Sequence, residues 1–450
     1  MNPTTRQPAM RRVLPLLLSL SALFLPAQAR SIFQPPNPLL LSSTELDDLE
    51  FVKTYIEANA NNTFREPSGV LSHPYLVPSG PYDQCWDWDS VFTGTALLSL
   101  GSAPYLAGSM KNFFEATGPT GDVTICLDPS DPNPSCSSDP SDNPAVAAHA
   151  KPLLIQGALI AARYTGDYSQ FLEYKDKMEL LLDYWDRERK DEETNLYVWH
   201  DQMESGADNL VTSPCPSSRS GCWVEKDCGN SLSSADLMTE LYREHKAFAA
   251  FLQEWGDQGA SDKIDKHLQI AESIRDAMNT HLWNKDKGSY IAYNVTSRTP
   301  ILNDVYLLAF PLFGDDVCST AQAQAVASRI FMDDMMGEWG VRSTSSNDPS
   351  YNNDNLITPY SNWQGPVWAN ANAIIGYGLL DNGYKEKALD LAKRTIAVMA
   401  EDLRNSGTWH ECWDSEGGGG GLAAEGFLSW NTLGYRLVDD IVSGKNPFKI

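Results

Sequence analysis

Two acidic loops in this sequence carry residues that could do chemistry on a bound molecule. Glu204-Ser205-Gly206-Ala207-Asp208-Asn209 is a polar turn that ends an aromatic segment, Tyr197-Val198-Trp199-His200, and His410-Glu411-Cys412-Trp413-Asp414 is a second acid set among aromatic residues. A carboxyl group held against aromatic bulk has its pKa raised, and one in a hydrogen-bonded polar setting stays ionised. Two such groups can therefore divide into a general acid and a general base. Cleaving a glycosidic bond with inversion needs that division, because one acid protonates the leaving oxygen while a carboxylate activates water on the opposite face. On residue type alone neither loop is specific, since acids in turns are commonly solvated caps.

Trp86, Trp88, Trp363, Trp409 and Trp413 fall in the same kind of loop, and Trp368 stands just inside the helix that follows. Any one of them is more often core than ligand. Clustered beside carboxylates they fit a sugar, which offers one apolar face to stack and a rim of hydroxyls to bond. Other chemistries find no support. The seven histidines have no ligand spacing with one another or with cysteine, so neither a catalytic metal nor another cofactor is expected. The glycines at 417–421 do not join a strand to a helix, so they do not form a phosphate cradle. No G-x-S-x-G elbow is present.

The elements that must position these loops are helices. Apolar residues recur at helical spacing over 44–60, 90–100, 105–116, 144–164, 168–189, 233–255, 261–283, 304–311, 320–336, 367–380, 384–403 and 427–442. Between alternate helices the connections become rich in Trp, Asp, Glu, Gly and Pro. This pattern predicts an all-α fold of helical hairpins closing as a ring, with the chemistry in the loops at one end. A plain solenoid is the rival, but its repeats should look alike, and these do not.

Length and composition fit one globular domain over 30–450. Arg6, Arg11 and Arg12 precede an apolar run that ends near Ala27-Gln28-Ala29, the pattern of a secretory signal peptide over 1–29. The run is shorter than the roughly 20 residues of a membrane span. Removing it takes the net charge from −25 to −28, which argues against nucleic acid as a partner and leaves a small-molecule sugar as the expected one. The eight cysteines then belong to an oxidising compartment, with Cys126 and Cys136 bracketing one loop and Cys215, Cys222 and Cys228 crowding another. Cys85 and Cys412, next to tryptophan motifs, read as buried fillers. Asn61-Asn62-Thr63 and Asn294-Val295-Thr296 match the N-glycosylation pattern.

Taken together, PYDQCWDWDS, MESGADN, NWQGPVW and HECWD, in that order along an all-helical chain, resemble glycoside hydrolase family 63 and its trehalase-like relatives. The compact size is similar to the mannosylglycerate and glucosylglycerate hydrolases of that family. The resemblance implies an (α/α)6 barrel, inversion of configuration, Asp208 as the acid and Glu411 as the base. It further implies that Asp89 grips sugar hydroxyls, that Trp88 lines the same subsite and that Gln364 and Trp368 border it; Trp413, among the loop tryptophans, is a further candidate sugar contact. The turn after the base departs from the family pattern and brings in Glu425, a rival for the base.

The substrate expected on this basis is an α-glycoside of glycerate, mannosylglycerate before glucosylglycerate. Its carboxylate needs an anchor, for which Arg219, Tyr242 and Tyr360 are the candidates. A trehalase-like or oligosaccharide α-glucosidase, a histidine-dependent sugar epimerase and a non-catalytic carbohydrate-binding protein are the alternatives.

Overall fold

The computed structural model describes residues 41–131, 148–200, 202–212, 231–257, 259–356 and 361–450. The expected signal peptide lies outside them. Within 41–450, which form one compact unit, the helical periodicity becomes α1 Ser43–Asn59, α2 Asp87–Ala96, α3 Ala103–Ala116, α4 Leu154–Thr165, α5 Lys175–Glu188, α6 Gln202–Ser205, α7 Ala235–Trp255, α8 Ser261–His281, α9 Thr320–Arg329, α10 Ala369–Asp381, α11 Lys385–Ser406 and α12 Leu437–Ser443. Several of the expected helices differ, among them 168–189, which opens as the 3-10 segment Ser169–Tyr174 ahead of α5. Tyr306–Phe313 is a 3-10 helix with Pro311 inside it, whose ring would clash with the carbonyl four residues back in an α-helix. The stretch expected as one helix over 427–442 is a 3-10 segment, Ser429–Tyr435, followed by α12.

Burial sorts these elements into two rings. α2, α4, α7, α10 and the 3-10 segments Tyr306–Phe313 and Ser429–Tyr435 bury residues all round, as helices enclosed by protein must. α1, α5, α8, α9 and α11 bury one stripe and give the other face to water. The inner segments pack in sequence, α2 on α4, α4 on α7, α7 on Tyr306–Phe313, that segment on α10, α10 on Ser429–Tyr435, and the last back on α2. The ring is closed. Outer helices lie against it, α3 on α4, α8 on α7 and α11 on α10, and the whole is an (α/α)6 barrel. Gly434 marks one tight crossing, where an added Cβ would meet the end of the Met399 side chain at 2.8 Å.

Helix starts decide where loop residues stand. α2 begins at Asp87, three residues before the expected start, which carries Trp88 and Asp89 into its first turn. α4 begins only at Leu154, so Lys151 lies in the approach to the helix and its backbone N–H donates to the Asp87 carboxylate at 2.8 Å. α1 is capped by Ser42 and Glu45 in a reciprocal capping box. Among the described residues no helix is long and apolar enough to cross a membrane.

Candidate active site

The floor of the site is built at the start of α2. Cys85–Trp86 pairs antiparallel with Cys126–Leu127, which fixes the entry into the helix. Asp87 and Asp89 occupy the first helical turn, where the helix dipole favours negative charge. Asp87 is consumed structurally, taking the N–H groups of Trp88 and Lys151, with the Lys151 ammonium at 3.6 Å. Asp89 points elsewhere and accepts from the Ser429 hydroxyl. Trp88 lies half-buried between Lys151, whose ammonium stands 4.4 Å from the ring centre, and the edges of Trp363 and Trp430.

The acid loop is held by a buried carboxylate. Glu204, in the short α6, has no exposed surface and accepts from the Arg189 guanidinium at 3.0 Å and from the backbone N–H groups of His149 and His200. Gly206 follows with φ +72, and an added Cβ would meet Trp88 and Lys151 at 2.8 Å. The turn therefore needs glycine for both its backbone and its close approach. Asp208 emerges half-buried, one carboxylate oxygen accepting from the Ser361 N–H at 3.1 Å and its hydroxyl at 3.2 Å. Asn209 ties the loop to the tryptophan segment, accepting from the Trp363 N–H at 2.6 Å and donating to Asn362.

The second acid stands on a strand, His410–Trp413, which pairs antiparallel with Gly421–Glu425. His410 pairs with Glu425 and Cys412 with Leu422, so Ala423 and Ala424 together oppose Glu411 in a β-bulge. Asp402 on α11 fastens the strand at both ends, accepting from the backbone N–H and ring of His410 and from the indole of Trp413, each at 2.9 Å. Gly421 crosses directly over that His410–Asp402 pair, where any Cβ would collide with the imidazole. Glu411 is left facing Asp208, Asp89 and Tyr82, whose hydroxyl donates to it at 3.4 Å.

Gathering these acids has an electrostatic consequence. Burial, with Asp208 and Asp89 adding their charge, pushes Glu411 up to about 8, and burial pushes Asp89 up to about 7 against the Ser429 hydroxyl bond. The expectation that hydrogen bonds keep the base low is therefore corrected: burial, with the neighbouring charges added, outweighs them. A carboxyl whose folded pKa exceeds its unfolded value binds more protons folded, so its contribution to stability is present below the ordinary glutamate range and lost as pH rises toward about 8. Glu411→Gln is accordingly expected to melt at a higher temperature than wild type at pH 8 and to lose that advantage at pH 4, read by calorimetry at both values.

Residues 82–428, which contain Tyr82, Asp89, Asp208 and Glu411, match the model of the family described as mannosylglycerate hydrolase MGH1-like glycoside hydrolase domain. The chain belongs to that family. Among solved structures, this chain is similar in fold to the GH63 mannosylglycerate hydrolase from Thermus thermophilus in complex with Tris and D-glycerate, with a TM-score of 0.65 and 17% identity over 86% of this chain and 99% of that one. It is also similar to the neutral trehalase Nth1 from Saccharomyces cerevisiae, with a TM-score of 0.59 and 15% identity over 87% and 82% of the two chains. Among curated proteins it is 22% identical to the periplasmic trehalase of Salmonella agona (strain SL483), over 84% of this chain and 70% of the relative.

The fold brings together Asp208, Glu411, Asp89 and Trp88, and it redistributes the other sequence-based candidates. Gln364 borders the acid loop but is spent on it, donating to the Asn209 carbonyl at 2.8 Å. Trp368 is buried beneath Trp363, ring on ring at 3.8 Å, and so supports an aromatic wall from behind. Trp413 as a sugar contact is corrected: it is fully buried and its indole N–H is directed to Asp402. Tyr242 as a carboxylate anchor is corrected as well, because its hydroxyl donates to Asp316 and its ring lies under Lys246. Arg219 and Tyr360 lie outside the described residues.

Glu425, the rival base, is exposed, and its charge acts on His410. Cys85 and Cys412 are buried fillers, while Cys126 is disulfide-bonded; Cys136, Cys215, Cys222 and Cys228 lie outside the described residues. Tyr82 was missed by sequence reasoning. Its only signal was its place inside PYDQCWDWDS, four residues before Trp86.

Proposed function

We propose that this glycoside hydrolase cleaves α-glycosides with inversion, Asp208 protonating the leaving oxygen and Glu411 drawing the proton from an attacking water. The observation that carries the reading is the pair of carboxyl groups on separate, independently braced loops, facing one another beside the half-buried Trp88. Asp89 serves the sugar hydroxyls, and the Tyr82 hydroxyl steadies the Glu411 carboxylate in its ionised form. The two carboxyl groups then work at the roughly 6.5–9.5 Å separation that leaves room for a water. Proton NMR of the first-formed sugar tests this directly. A β-hexose released initially is the expected result, and an α-hexose would mean retention and sink the assignment.

The substrate we propose is an α-hexoside of glycerate, mannosylglycerate before glucosylglycerate. Its support is the family description and the D-glycerate complex of the Thermus thermophilus protein. A neutral, trehalose-type glucoside is the second reading, favoured by the relatives named as trehalases. Purified protein incubated with mannosylglycerate, glucosylglycerate and trehalose, with released hexose assayed, separates them. Release from trehalose alone would remove the glycerate assignment and leave the acid and base standing. Export through a signal peptide is proposed alongside, supported by the disulfide-bonded Cys126 and by relatives named as periplasmic; a mature N-terminus near Arg30, read by intact mass, is the expected observation.

A further inference from the structure

The β-bulge opposite Glu411 is built in an unusual way. A bulge of this kind commonly places glycine, in the left-handed region, at its first position. Here that position is Ala423, with φ +63. A side chain rarely adopts this backbone conformation unless its surroundings impose it. One hydrogen bond from outside the hairpin reaches this residue: the Ala423 N–H donates to the side-chain carbonyl of Asn355 at 2.8 Å. Ala424, the second residue of the bulge, also lies opposite Glu411, and its N–H polarity favours the ionised form of that carboxylate.

Asn355, itself exposed, follows an amide-rich run that spans from the acid loop to the base. Asn352 donates to Gln364 at 3.0 Å and accepts from Asn362 at 2.8 Å, and both of these residues bond Asn209 beside Asp208. Asn353 accepts from the Ser415 N–H and hydroxyl, each at 3.2 Å, just beyond the strand that carries Glu411. We infer that Asn355 is a positioning residue for the base: by gripping the Ala423 N–H it holds the bulge in its left-handed form and so presents the Ala424 N–H to Glu411. This rests on the proposed role of Glu411.

The groups that face Glu411 from other elements are Asp208, Asp89 and Tyr82, and His410 and Glu425 flank it on its own hairpin. None of these is altered by a change at Asn355. Asn355→Ala in the full chain, assayed on whichever sugar of the panel is cleaved, is expected to lower kcat on the order of ten- to a hundredfold with KM nearly unchanged, the signature of a misplaced catalytic group. The acidic limb of its kcat profile should move to higher pH, because the ionised base has lost a donor. Two variants separate this from a general loop defect. Asn355→Asp keeps the acceptor oxygen and should retain most of kcat, and Ala423→Gly added to Asn355→Ala should restore much of it, since glycine holds the left-handed form unaided. Loss of kcat that Ala423→Gly does not recover, or an unchanged kcat and pH profile in Asn355→Ala beside an inactive Glu411→Gln, overturns the inference alone. An active Glu411→Gln overturns the reading on which it rests.

Discussion

Asp208→Asn and Glu411→Gln are each expected to lower kcat about 10²- to 10⁴-fold, the range that general acid or base catalysis supplies. KM should change little, because neither replacement alters the shape of the site or the stacking surface of Trp88. Glu425→Gln serves as the comparison and should stay close to wild type, since its carboxylate is exposed and acts on His410 rather than on the buried acids. The free enzyme should show a bell-shaped kcat/KM profile whose acidic limb lies above the ordinary carboxylate range, as burial and the neighbouring acids hold a proton on Glu411 up to about 8. With three interacting carboxyls, the apparent values belong to the cluster rather than to single residues. Azide supplied to Glu411→Gln should restore turnover and flatten that acidic limb. Activity surviving in Glu411→Gln and lost in Glu425→Gln would transfer the base role.

The other large effect is expected at a distance from the chemistry. Arg189 and Glu204 form an ion pair with 5% and no side-chain exposure, and Glu204 also takes the backbone N–H groups of His149 and His200. Arg189→Met leaves that carboxylate buried without its counter-charge, which should cost about 3–5 kcal/mol of stability. Urea unfolding measures it. Arg189→Met/Glu204→Gln should lose less than Arg189→Met alone, because the double variant removes the uncompensated charge along with the pair. A double variant no more stable than the single one would show that packing of Arg189 on Tyr184, not charge, carries the effect. Since Glu204 stands four residues before Asp208, the single variant should also lose turnover before it loses its helices.

Much of this molecule was legible because the relevant signals are local. Helical periodicity is set by which side of a helix faces the core, and it located the barrel helices within a few residues in most cases, α1 and α11 among them. The acid loops were legible for a related reason: Gly206 and Gly421 are required by close approach, and Trp88, Asp89, Asp208 and Glu411 sit in short segments whose residue types announce their chemistry. Periodicity did fail where a local rule was broken, as at Pro311, which turns an expected α-helix into a 3-10 segment.

Only the tertiary structure decided which side chains share one space. Trp413 and Glu411 are two residues apart on one strand, yet a bulge in the partner strand and a hydrogen bond to Asp402 bury the first and leave the second facing Asp208. Tyr242 has the right chemistry for an anion anchor, but its hydroxyl is bonded to Asp316. Tyr82 joins the acids from far along the chain, and Asn355 reaches the base through a backbone N–H that carries no mark in the sequence. The raised pKa values of Glu411 and Asp89 are decided the same way. Burial and charge coupling depend on distance in space, and distance in space between loops that share no periodic element is fixed only when the ring of helices closes.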